Sequence, residues 1–284
     1  MDDYLIILGK YTGNDSVVVI PDGITTVGER AFAGNTLIEE VVIPEGVRGL
    51  DEGCFDSCTS LQCVHMPDSL WRIGKGAFRG CAALREVAIG PEVSTIDANA
   101  FRGCTALETI VLPEKLKYLK AGCFSNCKSL RTIELPSSLR ELGSHAFKNC
   151  LSLEEVFLPE GLKVLEEGTF EGCTSLLGAV LPSTLEEISC RAFAGCSHLF
   201  QPALPAGVRV VADDAFDDAG TAGRAVVADC ASSDDSAATA ESDDSPVAAG
   251  EEGKSTTRQV SATRRASTHI AHDKADWSNL PGWQ

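Results

Sequence analysis

Nine phenylalanines spaced 23 residues apart constrain the fold of this chain more than any other feature of its sequence. They are Phe32, Phe55, Phe78, Phe101, Phe124, Phe147, Phe170, Phe193 and Phe216. A fixed period of this length indicates a stack of short units, each of which buries its apolar face against its two neighbours. The sequence therefore predicts a repeat solenoid of about nine 23-residue rungs instead of one or two ordinary globular domains.

The segment LRTIELPSSLRELGSHAFKNC, residues 130–150, shows how one rung is built. Ile133 and Leu135 alternate with Thr132 and Glu134, which is the period of two that a β-strand requires. Pro136 then ends the strand because proline has no amide donor. Each rung is therefore expected to contribute one short strand, and the strands are expected to stack in parallel into a concave sheet.

Two more apolar residues follow each strand, as Leu139 and Leu142 do in this rung. Their three-residue spacing suits a tight helical turn or a second, irregular strand, and the sequence leaves both alternatives open. We therefore expect irregular or short helical turns on the convex side. A glycine often lies two residues after the phenylalanine, where we expect it to supply a positive φ angle at the corner.

Seven of the twelve cysteines share one position in the rung, three residues after the phenylalanine. They are Cys58, Cys81, Cys104, Cys127, Cys150, Cys173 and Cys196. A cysteine that recurs at one position of the rung is explained as a small buried side chain, because a free cysteine behaves as a small apolar residue. Disulfides and metal binding are the alternatives. Unpaired cysteines favour a reducing compartment.

The N-terminus, MDDYLIILGKYTG, has two acidic residues where a secretory signal carries positive charge. We therefore favour a cytoplasmic location, with the cell surface or secretion as the alternative if an upstream signal is missing. The formal charge of −17 disfavours nucleic acid and anionic lipid as partners because both would repel the chain. No stretch approaches the roughly 18 apolar residues of a membrane span, so we expect no membrane insertion.

The sequence predicts a solenoid with three flanking segments, one before it and two after it. Residues 1–14 are expected to cap the first rung, and residues 15–230 to form the solenoid. Residues 231–276, rich in Ser, Ala, Thr, Asp and Glu, are expected to be a disordered tail. The tail contains Arg264-Arg265-Ala266-Ser267, in which Ser267 is a candidate phosphorylation site.

The last eight residues, 277–284, read WSNLPGWQ and place Trp277, Leu280 and Trp283 three residues apart. Tryptophan is common at binding hot spots, so this motif is a candidate for docking onto a partner or onto the solenoid. A weakly ordered end is the alternative.

Side chains that point outward from the strands form the columns in which we expect a binding surface. The column just before the last inward strand position runs Val19, Val42, His65, Ala88, Val111, Glu134, Phe157, Val180 and Ala203. Most of these residues are apolar, which is unusual for a wetted face and indicates a partner surface. Two other interpretations stay open: β-branched residues suit strands, or the tail covers the column. The candidate binding residues are Val42, Val111, Glu134, Phe157, Leu177, Val180 and Phe200.

A smaller cluster combines a thiol, an imidazole and carboxylates. Cys63 and His65 lie on one outward strand face, with Glu40 and Glu86 on the adjacent rungs. These groups could bind zinc or activate a nucleophile. No second histidine or cysteine completes a set of four ligands, so chance proximity is the preferred interpretation. We expect no metal and no cofactor.

The segments LETIVLPEKLKYLKAGCFSNC and LEEVFLPEGLKVLEEGTFEGC follow the pattern LxxIxLPxxLxxIxxxAFxGC. This pattern resembles the BspA-like leucine-rich repeats, and the resemblance extends over residues 4–220. It implies a leucine-rich repeat fold, a role in adhesion or protein binding, and no catalytic motif. A P-loop, a nucleophile elbow and a glycine-rich dinucleotide loop are also absent from the sequence.

Two functional hypotheses follow. The first is a monomeric, non-enzymatic scaffold that binds a protein partner through its concave sheet. The second is an exported surface adhesin or recognition protein.

Overall fold

The computed structural model describes residues 6–200 and 202–220. Over this part, the chain forms a solenoid in which every strand pairs in parallel with the strand at the same position of a neighbouring rung. The register advances by 23 residues per rung, as in the pair Val41 and Val64, except at the N-terminal strand, where Ile7 pairs with Thr26. The predicted repeat solenoid is therefore confirmed.

In seven of the nine rungs, the predicted strand forms the first strand column. Its middle side chain points into the core, and the side chains before and after it point outward. In the sixth rung, a single bridge from Thr132 to Glu155 replaces a full strand, and in the ninth rung residues 202–205 form no strand. With strands numbered in chain order, this column contains β2 (Val17–Val19), β4 (Glu40–Val42), β6 (Cys63–His65), β8 (Glu86–Ala88), β10 (Thr109–Val111), β13 (Glu155–Phe157) and β15 (Gly178–Val180).

The second residue of the apolar pair that follows each first-column position lies in a second strand column, which decides between the two alternatives for the convex side. Leu142, for example, lies in a two-residue strand whose side chains alternate outward and inward. The described residues contain no helix. The column contains β1 (Ile7–Leu8), β3 (Thr26–Val27), β5 (Gly49–Leu50), β7 (Arg72–Ile73), β9 (Thr95–Ile96), β11 (Tyr118–Leu119), β12 (Glu141–Leu142), β14 (Val164–Leu165), β16 (Glu187–Ile188) and β17 (Val210–Val211).

The phenylalanines form a continuous stack along the solenoid. Successive rings are 4.9–5.5 Å apart between centroids and nearly parallel, with interplanar angles of 4–12°. Tyr11 extends the stack at its N-terminal end, 5.2 Å from Phe32. Burial raises the pKa of the Tyr11 phenol to about 12, and its hydroxyl donates to Asp15. The aromatic residue expected in each rung therefore also forms a continuous contact between rungs.

Each phenylalanine lies in a turn that we call the corner of the rung, which runs from three residues before it to two residues after it. Hydrogen bonds that alternate within and between rungs hold this corner. The Phe55 amide donates to the Ala77 carbonyl of the next rung at 2.8 Å, whereas the Cys58 amide donates to the Phe55 carbonyl within its own rung. This alternation requires positive φ angles two residues before and two residues after the phenylalanine, as at Gly53 and Ser57. The glycines predicted at the second of these positions do have positive φ, for example 72° at Gly80.

The seven cysteines at the repeated position form a ladder of hydrogen bonds. Each side chain is buried, and each Sγ lies 3.1–3.2 Å from the carbonyl oxygen of the phenylalanine one rung earlier. All seven are free thiols. Burial raises their pKa values, to about 12 for Cys58 and Cys104. We call this set the cysteine ladder; the thiols pack as small buried groups, as predicted, and also link neighbouring rungs.

The cysteine ladder is expected to resist alkylation in the folded protein. Near the ordinary thiol pKa of about 8.5, a thiol with a strongly raised pKa has almost no thiolate, and the ladder sulfurs are also buried. Iodoacetamide treatment followed by peptide mass mapping should leave Cys104 unmodified in buffer and modify it fully in denaturant. Cys63, half-buried outside the ladder, is the internal control and should react faster. Labelling of Cys104 at the rate of Cys63 in the folded protein would contradict the ladder.

Candidate functional site

The outward side chains of the first strand column, the residue that precedes each strand, and Phe200, which is equivalent to Leu177 one rung later, form what we call the outer strand face. Several large apolar residues on it are solvent-exposed, although such side chains usually lie inside a protein. The exposed fractions are 66% for Val111, 61% for Phe157, 54% for Val180 and 70% for Phe200. Leu177 is also exposed, at 42%.

Four of these residues lie on three consecutive rungs and form what we call the apolar patch: Phe157, Leu177, Val180 and Phe200. Phe157 and Val180 are direct partners in the parallel pair of β13 and β15. The Phe200 amide donates to the Leu177 carbonyl at 3.0 Å, so these two residues are also neighbours across rungs. Gly178 lies between Leu177 and Val180 and adds no side chain. A Cβ atom built there meets nothing within 4 Å, so the surface at this point is open.

The other three predicted binding residues do not join the patch. Val42 is only half-exposed and pairs with His65 in a different sheet. Val111 is exposed but lies two rungs before Phe157. Glu134 is exposed between them and, with Glu154 and Glu155, gives the patch an acidic border. The predicted column is thus divided into one concentrated patch and isolated positions.

The cluster of Cys63, His65 and Glu40 is a surface hydrogen-bonded group. His65 Nε2 lies 2.9 Å from Glu40 Oε1, and Cys63 Sγ lies 3.5 Å from the same nitrogen. Burial and the charges of Glu40 and Glu86 raise the pKa of the Cys63 thiol, the opposite of what an activated nucleophile needs. Within residues 6–200 and 202–220, no group of three or more His, Cys, Asp or Glu side chains is placed to hold a metal ion.

Charged residues at the corner form a network that was not predicted from the sequence. Asp56, directly after Phe55, is buried and accepts two hydrogen bonds from the Arg79 guanidinium, at 3.0 and 2.6 Å. Glu171, at the same position after Phe170, is also buried. The sequence signal was present, because opposite charges 23 residues apart face each other on successive rungs.

Three basic side chains surround the Glu171 carboxylate. Lys148 Nζ is 2.9 Å from Oε2, His145 Nε2 is 3.7 Å from the same oxygen, and the Arg191 guanidinium contacts Oε1. Burial and the nearby Lys148 charge lower the pKa of His145, so the imidazole is neutral near pH 7. The carboxylate is therefore shared between Lys148 and Arg191.

The family of the chain follows from comparison with known repeats. The profile of the BspA-type leucine-rich repeat region matches residues 10–120 and 94–221, with six copies. The chain belongs to this family. The match covers the described solenoid from residue 10 onward, including the apolar patch and the corner network. The leucine-rich repeat fold expected from the sequence pattern is therefore confirmed, in a family of repeat proteins that is generally non-enzymatic.

Solved structures of bacterial leucine-rich repeat proteins resemble this BspA-type chain. The leucine-rich repeat protein of T. pallidum is 34% identical, with a TM-score of 0.50, over 69% of this chain and 83% of that one. A leucine-rich cell surface protein of Faecalibacterium prausnitzii is 21% identical, with a TM-score of 0.30, over 78% of this chain and 95% of that one. The pneumococcal vaccine antigen PcpA is 20% identical, with a TM-score of 0.45, over 69% and 58%. No curated protein matches this chain.

The remaining sequence predictions fall on residues outside the described part of the chain. These are the tail of residues 231–276, the candidate phosphorylation site at Ser267, and the motif of Trp277, Leu280 and Trp283. They stay predictions. Within the described ranges, no helix long and apolar enough to span a membrane is present.

Proposed function

We propose that this BspA-type chain is a monomeric, non-enzymatic scaffold whose apolar patch binds a protein partner. The observation that carries the proposal is the grouping of Phe157, Leu177, Val180 and Phe200 on three consecutive rungs, each between 42% and 70% exposed. Contiguous exposed apolar surface with a polar border commonly marks an interaction site. Phenylalanine in particular contributes large contact area at the centre of interfaces.

The border of the apolar patch limits the kind of partner that fits. Glu134, Glu154 and Glu155 are all exposed beside it, and the chain as a whole carries a formal charge of −17. A complementary partner would present large apolar side chains flanked by lysine or arginine. The same charge disfavours nucleic acid as a ligand.

The scaffold is proposed to act in the cytoplasm, with the cell surface as the alternative. The cysteine ladder is compatible with both locations. Its thiols are buried and their pKa values are raised, so they resist oxidation as well as alkylation.

Two aspartates introduced into the apolar patch should abolish partner binding. In the Phe157→Asp, Val180→Asp double variant, two charges replace the apolar pair at the centre of the patch, and hot-spot losses of this kind exceed about 2 kcal/mol, or roughly 30-fold in affinity. Proteins enriched by the wild-type chain and lost in the variant are identified by mass spectrometry. The dissociation constant of the purified partner is then measured with both chains.

Trp71→Asp is the matched control, because Trp71 is 52% exposed and lies directly before β7 of the second strand column, away from the patch. Its binding should equal that of the wild type. Circular dichroism must show the same fold in all three chains, since both patch side chains point to solvent. A purified partner that binds the double variant and the wild type equally would overturn the proposal.

A further inference from the structure

One stretch of the corner is positively charged although the chain is strongly acidic. Three consecutive rungs place residues 98–103, 121–126 and 144–149 at the corner, and these segments contain no aspartate or glutamate. They contain Arg102, His145 and Lys148. A groove of about 410 Å³ runs across these rungs and is lined by these three side chains together with serine, asparagine and small residues.

The charge of Arg102 is not neutralised by its neighbours. One rung earlier, Arg79 occupies the same corner position and is paired with the buried carboxylate of Asp56. Arg102 is exposed, and its guanidinium has no carboxylate within ion-pair distance among the described residues. Two rungs later, Lys148 shares the single carboxylate of Glu171 with Arg191, so one positive charge is left over there as well.

Ser125 lies between these two cationic side chains, at the same corner position of the intervening rung. It is buried, and its Oγ accepts a hydrogen bond from Asn126 Nδ2 at 3.3 Å. Asn149 Nδ2 in turn donates to Asn126 Oδ1 at 3.1 Å. Strands one rung apart are about 4.8 Å from each other, so Arg102 and Lys148 start about 10 Å apart, one on each side of Ser125. Lys148 Nζ lies on Glu171, whose carboxylate Arg191 also contacts, so Lys148 can leave this carboxylate without removing its last cation.

We propose that this corner groove binds a tetrahedral oxyanion, the sulfate or phosphate group of a ligand, between Arg102 and Lys148 and above the Ser125 hydroxyl. An oxyanion would take Lys148 from Glu171, which Arg191 still neutralises, so that the guanidinium and the ammonium group would contact it from opposite sides. The Ser125 hydroxyl would donate to it from the floor of the groove. Charge-assisted hydrogen bonds from arginine are well suited to such oxygens. The neutral His145 imidazole can donate one further hydrogen bond from the rim. The groove is at the corner and the apolar patch is on the outer strand face, so this site is independent of the proposed protein-binding function.

The test is an NMR titration of backbone amides with inorganic sulfate, inorganic phosphate and acetate, at constant ionic strength. We expect saturable shifts at the amides of Ser125 and Asn126 with sulfate or phosphate, and weaker binding of acetate. The relative affinity of sulfate and phosphate distinguishes the two sources of the oxyanion. Arg102→Gln should weaken binding about tenfold, the effect of one charge-assisted hydrogen bond. Because Arg102 is exposed, this variant should keep the fold.

Two further variants make the result decisive. Ser125→Asp places a carboxylate between the two cations and should abolish binding. Arg85→Gln removes the same charge from an exposed position directly before β8, on the outer strand face, and should bind as the wild type does. Absence of saturable shifts, equal losses in Arg102→Gln and Arg85→Gln, or acetate binding as tight as sulfate and phosphate would each overturn the proposal.

Discussion

Replacing Phe124 with alanine is expected to lower the free energy of unfolding by about 3–5 kcal/mol. Phe124 is fully buried, and its ring stacks on Phe101 and on Phe147, each at 5.5 Å between centroids. The substitution removes contacts with both neighbouring rungs and leaves a cavity that rigid backbone ladders on each side prevent from closing. Chemical denaturation followed by circular dichroism measures the loss.

Phe216→Ala is the matched control for this prediction. Phe216 stacks on one described ring, Phe193, at 5.2 Å, and is only partly buried. Because rungs in a solenoid contact only their neighbours, truncation beyond the last full rung should cost clearly less than truncation at the centre. Equal losses at the two positions, or an unchanged stability of Phe124→Ala, would show that the stack does not couple the rungs.

The aromatic stack was predictable because a residue type that returns every 23 positions must occupy one environment in every rung. The second strand column was not. The spacing of Leu139 and Leu142 fits a helical turn and a strand equally well, because the sequence shows which side chains point inward and not which amides pair. Hydrogen bonds between rungs decide the matter: the amides of Arg140 and Glu141 both donate to the Lys117 carbonyl of the preceding rung, at 2.9 and 3.2 Å.

The apolar patch was partly predictable for the same reason. Alternation in the strand predicts that Phe157 and Val180 point outward, and the period predicts that they are adjacent. The hydrogen bonds of the cysteine ladder could not be predicted from the repeat. A cysteine that recurs every 23 residues can be a small apolar residue or a hydrogen-bond donor, so the repeat does not reveal the bond from Cys104 to the Phe78 carbonyl. The corner network was harder still, because residue types there change from rung to rung. The contact of Arg191 with Glu171 also joins positions that do not follow the 23-residue period.

Arg79→Gln is expected to destabilise the fold by about 1–3 kcal/mol, although Arg79 itself is half-exposed. The effect comes from its partner: the Asp56 side chain is 8% exposed and loses the two guanidinium hydrogen bonds at 3.0 and 2.6 Å. Leaving a charged group buried without its partner costs more folding free energy than the intact ion pair contributes. Denaturant unfolding of the variant and the wild type measures the difference.

A double-mutant cycle separates this cause from a loss of packing. Asp56→Asn combined with Arg79→Gln removes both charges, so the combined variant should be more stable than the sum of the two single changes predicts. Lys115→Gln is the exposed counterpart: Lys115 and Glu92 are also 23 residues apart and 2.6 Å from each other, but both side chains are more than half exposed. Lys115→Gln should lower the free energy of unfolding by less than about 1 kcal/mol, since solvent screens both charges. If Lys115→Gln and Arg79→Gln cost the same, burial of Asp56 is not what gives the corner pair its strength.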